Sequence, residues 1–143
     1  MDQKLFLDTN VFVSFLNQND SNYEKAVRVF HKAVKNDFEI YASDLVIYEA
    51  LTVLSLRAGK KIAVGFGKLV FDKKQIGLIE TSKQVRKKAW KIFRKTRSKN
   101  ISFIDCCLAA QALLDKKPKL VTFDKRLAKL CQRQASHRSL YSQ

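Results

Sequence analysis

Cysteine, proline, glycine and acid are all scarce in this 143-residue chain, which has three Cys, one Pro, four Gly and thirteen Asp+Glu. So little Pro and Gly excludes a collagen-like or low-complexity chain, and 46% hydrophobic with 29% charged residues excludes disorder. The cysteines, Cys106, Cys107 and Cys131, are odd in number and two are adjacent, and no C-x-x-C or Cys/His cluster offers zinc a site. Reduced, partly buried thiols and a cytoplasmic compartment are expected. No run of about 18 apolar residues exists, so no membrane span is expected. The opening MDQKLFLDTN has an acid at position 2 and only a short apolar stretch, unlike a secretory signal. No linker, repeat or composition break interrupts the chain. One domain over 1–143 is therefore expected, within the roughly 100–200 residues of an ordinary domain.

What is abundant is positive charge. Twenty-eight Lys+Arg against thirteen Asp+Glu give a formal +15. Such a field attracts polyanions, with nucleic acid foremost.

Along the chain, Lys4–Leu7 is a short apolar run fit for a buried strand, ending at Asp8. Tyr23–Lys35 carries Ala26, Phe30, Ala33 and Val34 at helical spacing, with Ser21 as its cap. Asp37 turns the chain into a second strand over Phe38–Ala42. Ser43 or Asp44 then caps a helix containing Glu49, which Gly59 ends, and Lys61–Phe71 reads as its antiparallel partner. Ile76–Glu80 is a weak third strand. From Ser82 to Arg97, Val85, Ala89, Ile92 and Phe93 fall on one helical face, which places Phe93 in the core. Ser102 caps a helix through Asp105, Ala109 and Leu113. Pro118 breaks the chain before a strand at Leu120–Phe123, and a last helix begins near Asp124. Strands alternating with helices imply an α/β fold with a parallel sheet covered on both sides.

Four of the scarce acids sit where solubility would not put them. Asp8 closes Leu5-Phe6-Leu7, and Asp124 follows Leu120-Val121-Thr122-Phe123 in the same way. Residues just past the carboxyl ends of parallel strands line the ligand crevice. Glu49 and Asp105 lie in stretches that are otherwise apolar, where a carboxylate is costly without a cation or donors. The plain alternative is a helix cap at Asp105, a surface Glu49 and a turn at Asp124. Four convergent carboxylates, with His31 and His137 elsewhere, would form a hard-oxygen site suited to Mg²⁺ or Mn²⁺. Such a site supports in-line attack of metal-activated water on a phosphodiester.

LFLDTN at 5–10, Glu49 in SDLVIYEAL, SFIDCCLAA at 102–110 and LVTFDKRL at 120–127 together resemble the PIN-domain nucleases. In order and length they look most like the VapC-type toxins of toxin–antitoxin pairs. The resemblance implies a three-layer α/β/α sandwich with a central parallel sheet of four to five strands and a metal-dependent ribonuclease centre. Asp8, Glu49, Asp105 and Asp124 match the acidic quartet that holds Mg²⁺ or Mn²⁺. Thr9 and Asn10 match residues that orient the first acid, and Thr122 matches the hydroxyl supporting the fourth. Homodimerisation and silencing by a cognate antitoxin are also implied. Two departures stand out: Cys106 and Cys107 occupy places where small residues such as Ala are usual, and the basic balance is unusually strong.

Nine basic residues and no acid fall between Lys83 and Lys99, interleaved with Trp90 and Phe93. This stretch reads as an RNA-backbone track through Lys87, Lys91 and Arg94, with Trp90 as a stacking surface. Lys125 and Arg126, next to Asp124, are further RNA contacts, or simply balance the acids. The apolar-rich stretch 45–71 reads as a helical hairpin that buries an interface, with a second copy or an antitoxin helix. Gly65-Phe66-Gly67 lacks a preceding strand and a third glycine, so nucleotide-cofactor binding is not expected. The expected function is a Mg²⁺/Mn²⁺-dependent endoribonuclease and toxin. The alternatives are a catalytically silent RNA-binding PIN domain and a phosphomonoesterase.

Overall fold

The computed structural model describes residues 3–115 and 119–141, with side chains to residue 135. Four strands carry the sheet: β1 (Lys4–Leu7), β2 (Glu39–Ser43), β3 (Gly77–Ile79) and β4 (Lys119–Val121). They pair in the order β3-β2-β1-β4, all parallel, with Leu5 beside both Ile40 and Lys119. The expected α/β class with a parallel sheet is found, at four strands among the described residues. The chain divides into two compact units.

The sheet unit comprises the described parts of Met1–Glu80 and Lys117–Phe123. Besides the strands it holds α1 (Thr9–Phe15), α2 (Tyr23–Lys35), α3 (Asp44–Arg57), α4 (Lys60–Gly67) and a π-helical turn, Lys68–Asp72. Its core gathers Phe6, Leu7, Val11, Phe12, Ile47, Leu54 and Phe66. Phe12 packs against Phe30 and Phe66, with ring centroids 6.1 and 5.1 Å apart. These contacts explain α1, a helix that sequence patterning missed. TNVFVSF is rich in β-branched and aromatic residues that favour strand, yet its buried Val11, Phe12 and Val13 supply tertiary packing that overrides propensity.

The capping reading needs one correction and gains one detail. Asn22, not Ser21, precedes α2, and Asp20 accepts the Asn22 N–H at 2.8 Å. Ser43 caps α3, its hydroxyl accepting the Leu45 N–H at 3.1 Å. Gly59 joins α3 to α4 at φ 100°, a region that favours glycine. Gly77 stands beside Tyr41 in the sheet, and a Cβ there would collide with the Tyr41 ring. Strand β4 ends earlier than expected. Thr122 and Phe123 leave the ladder to make side-chain bonds described below, while Pro118 lies outside the described residues.

The helical unit comprises the described parts of Thr81–Lys116 and Asp124–Gln143. It holds α5 (Lys83–Lys95), α6 (Phe103–Leu114) and α7 (Lys125–Tyr141). As expected, Ser102 caps α6, its hydroxyl accepting the Asp105 N–H at 3.0 Å, and Ser82 caps α5, accepting the Val85 N–H at 3.1 Å. Val85, Ala89 and Ile92 of α5 are buried, as are Cys106 to Ala110 of α6. Phe93 is not core: it is exposed at the margin of the buried Val85–Ala89–Ile92 stripe. No helix among the described residues is long and apolar enough to cross a membrane.

Candidate active site

Asp8 is the first residue past β1 and the N-cap of α1. Its N–H still follows the sheet, donating to the Val121 carbonyl at 3.0 Å. Its carboxylate is buried, at 8% exposure, and two donors hold it. Oδ1 accepts the Thr9 N–H at 2.7 Å and Oδ2 accepts the Thr122 hydroxyl at 2.7 Å. The Thr122 oxygen in turn accepts from Asn10 Nδ2 at 3.3 Å, and Asn10 Oδ1 accepts the Phe123 N–H at 3.3 Å. Both ends of Asn10 are therefore used, and the relay from Asn10 through Thr122 to Asp8 fixes which carboxylate oxygen faces which donor. It also ties the end of β4 to the start of α1.

Glu49 joins this group through the other side of Thr9, whose hydroxyl donates to Glu49 Oε2 at 3.0 Å. The burial expected for Glu49 does not hold: it is exposed on α3. Its apolar chain neighbours did not decide the matter, since residues i±1 point about 100° away around a helix. Asp8, Thr9, Asn10, Glu49 and Thr122 thus form one connected polar cluster in the sheet unit.

The other two acids belong to the helical unit. Asp105 is half-buried at the third position of α6 and shares a capping box with Ser102. Its Oδ2 accepts the Ser102 N–H at 3.0 Å while the Ser102 hydroxyl accepts the Asp105 N–H. Asp124 is half-buried ahead of α7, and its Oδ1 accepts the Arg126 N–H at 2.9 Å. Both have the local hydrogen bonding of caps, which is compatible with a carboxylate that also faces a ligand. Next to Asp105, Cys106 is wholly buried. Burial first, then the Asp105 carboxylate and Cys107, push its thiol up to about 11, so it stays protonated and is a poor nucleophile.

Lys87, Lys91 and Arg94 are exposed along α5, and Lys125 and Arg126 along the first turn of α7. Phe103, in the otherwise apolar stretch around Asp105, is 37% exposed. Its position at the start of a capped helix was the available signal, because a first turn has no preceding turn to cover it.

Among the described residues, no group of three or more His, Cys, Asp and Glu is gathered as a metal site. The pair bridged by Thr9 nevertheless fits a hard divalent cation. Its donors are all carboxylate oxygens, and Mg²⁺ characteristically takes one or two protein carboxylates while keeping water and substrate oxygens. The buried thiols offer no competing soft site.

No curated protein sequence matches the chain. Among solved structures, VapC20 of Mycobacterium tuberculosis, described as a sarcin–ricin loop cleaving toxin, superposes with a TM-score of 0.75 at 18% identity. That match covers 87% of this chain and 93% of VapC20. VapBC2 of Rickettsia felis, solved bound to a DNA fragment from its promoter, gives a TM-score of 0.64 at 18% identity over 90% of this chain and 93% of that one. These likenesses establish a shared fold. The PIN domain model matches residues 5–132, from β1 into α7 and across all four acids, and the chain accordingly belongs to the PIN-domain family.

Proposed function

We propose that the chain, acting as a single domain over residues 1–143, is a metal-dependent endoribonuclease and the toxin of a toxin–antitoxin pair. The observation that carries this reading is the buried Asp8 carboxylate, gripped by Thr9 and Thr122 and linked through Thr9 to Glu49. A structural carboxylate needs no second acid beside it, and like charges brought together cost stability unless a cation answers them. Membership of the PIN family and the fold shared with a loop-cleaving toxin and with a toxin–antitoxin complex support the same reading.

In this proposal Asp8 and Glu49 hold Mg²⁺ or Mn²⁺, and Asp105 and Asp124 supply further oxygens. The ion, when bound, supplies Lewis acidity and an activated water for phosphodiester hydrolysis. Thr122 and Asn10 keep Asp8 oriented, and Thr9 spaces Asp8 from Glu49. Lys125 and Arg126 neutralise RNA phosphates beside Asp124. RNA as substrate, a cognate antitoxin, a homodimer and a cytoplasmic location belong to the same proposal.

The test is incubation with total RNA and defined tRNAs in Mg²⁺ or Mn²⁺, against EDTA and an Asp8→Asn variant. Discrete fragments that vanish in both controls are expected. Intact RNA in every lane, with binding retained, would instead identify a catalytically silent RNA-binding PIN domain. Release of inorganic phosphate from small esters, with RNA untouched, would identify a phosphomonoesterase.

A further inference from the structure

Helix α5 carries more aromatic surface than its packing uses. Its buried stripe is Val85, Ala89 and Ile92, whereas Trp90 and Phe93 are 52% and 38% exposed. The two rings lie nearly parallel, 25° apart with centroids at 6.1 Å. Phe103, at the start of α6, meets both edge-on at 5.6 Å from Phe93 and 6.4 Å from Trp90. The Arg94 guanidinium stands 5.9 Å from the Trp90 ring. Lys83, Arg86, Lys87 and Arg94, spaced seven, four, three and four residues from Trp90, share its face of the helix. No acid interrupts the chain between Glu80 and Asp105.

Three mutually supporting rings left in water are costly for a surface that binds nothing. The single-sign rim tells against a second copy of this chain, which would set like charge against like. Flat rings ringed by cations match the two faces of an unpaired nucleotide, a π-surface and a phosphate.

We propose that Trp90, Phe93 and Phe103 form a stacking platform for unpaired RNA bases, with Arg86, Lys87 and Arg94 taking the adjoining phosphates. This rests on the reading of the chain as an RNA-acting protein and adds to it a base-stacking surface built by Trp90, Phe93 and Phe103. Duplex hides its base faces and gains only the phosphate contacts.

Trp90 is the only tryptophan of the chain, so its fluorescence reports the platform directly. The full chain is titrated in EDTA, where no cleavage is needed, with a dye-labelled unstructured RNA of about 12 nucleotides, whose anisotropy gives the affinity of the parent and of each variant alike. The same RNA annealed to its complement, and inorganic polyphosphate, serve as comparisons. Single strand quenches the emission and loses roughly tenfold or more in affinity on Trp90→Ala, while Trp90→Phe restores most of it. Duplex and polyphosphate bind without quenching and are indifferent to the substitution. Saturation by single strand without quenching, or Trp90→Ala binding as the parent does, overturns the platform. So does a change in sedimentation on Trp90→Ala with RNA affinity unmoved, which would make the cluster a protein contact. Because cleavage is never read, failure here leaves the nuclease proposal standing. A platform that quenches in a chain that cuts no RNA leaves the reverse.

Discussion

The two units divide the charge very unequally. By sequence, the sheet unit carries thirteen Lys+Arg and ten Asp+Glu, a formal +3, whereas the helical unit carries fifteen and three, a formal +12. They also hold their polar groups differently. In the sheet unit Asp8 is buried and bound by donors one residue and 114 residues away, so its position depends on the whole sheet. In the helical unit Asp105 bonds to Ser102, three residues away, and the cations of α5 need only exposure. A carboxylate that must be held in place requires tertiary structure, while a field that attracts a polyanion requires only composition.

The sharpest way to break that contrast is to strike the tertiary carboxylate. Asp8→Asn keeps an acceptor for the Thr9 N–H but removes the charge. Cleavage should fall by on the order of a thousandfold or more, judged by the usual cost of deleting one principal electrostatic group, while the melting temperature changes little. Cleavage at the parent rate would show that Asp8 serves the fold alone. Next in size is Thr122→Val, which keeps the shape and deletes the hydroxyl that donates to Asp8 and accepts from Asn10. Leaving those partners unsatisfied costs about 1–3 kcal/mol in denaturant unfolding. Activity should drop roughly tenfold to a hundredfold, the scale for loss of a ligand-orienting partner.

Composition makes the complementary prediction for the helical unit. Replacing Lys87, Lys91 and Arg94 together with Ala should weaken binding to all RNAs alike. For single strands it should flatten the slope of log K against log salt by about 2, at roughly 0.7 for each phosphate no longer neutralised. The fold should be untouched, since all three side chains are exposed. A weakening confined to one RNA sequence, with the slope unchanged, would mean that these cations read bases rather than backbone.

The same contrast explains what could be read from the chain before its structure. Strand β1, the cap Ser102, the parallel sheet and the acids after β1 and β4 follow from local signals, because each depends on a few adjacent residues. Helix α1 did not, since TNVFVSF reads locally as strand and becomes helix only because Phe12 packs on Phe30 and Phe66. The exposure of Glu49 escapes a reading of chain neighbours, because on a helix these are not spatial neighbours. Phe93 sits at the margin of the α5 stripe, where helical spacing alone does not decide between burial and exposure. The relay from Asn10 through Thr122 to Asp8 spans the length of the chain, and its hydrogen bonds are invisible in any local pattern.

The smallest effect concerns Cys106, a buried group whose surroundings are tertiary although it lies in the unit dominated by local bonds. Its thiol is pushed up to about 11, chiefly by burial and then by Asp105 and Cys107. The folded chain therefore holds this proton more tightly than the unfolded chain does. Below the ordinary thiol value both states are protonated and stability is unaffected. As pH rises from there to about 11 the unfolded state loses its proton first and the folded state is progressively disfavoured. Lysines titrate in the same range, so the informative quantity is the difference between the parent and Cys106→Ala. At pH 7 the variant is less stable by about 1–2 kcal/mol for the missing packing. That gap narrows as the pH approaches 11, by on the order of 2 kcal/mol at most. Equilibrium unfolding of both proteins across that range measures it. A gap that stays constant would mean that Cys106 meets water more readily than its burial implies, and that α6 opens locally around Asp105.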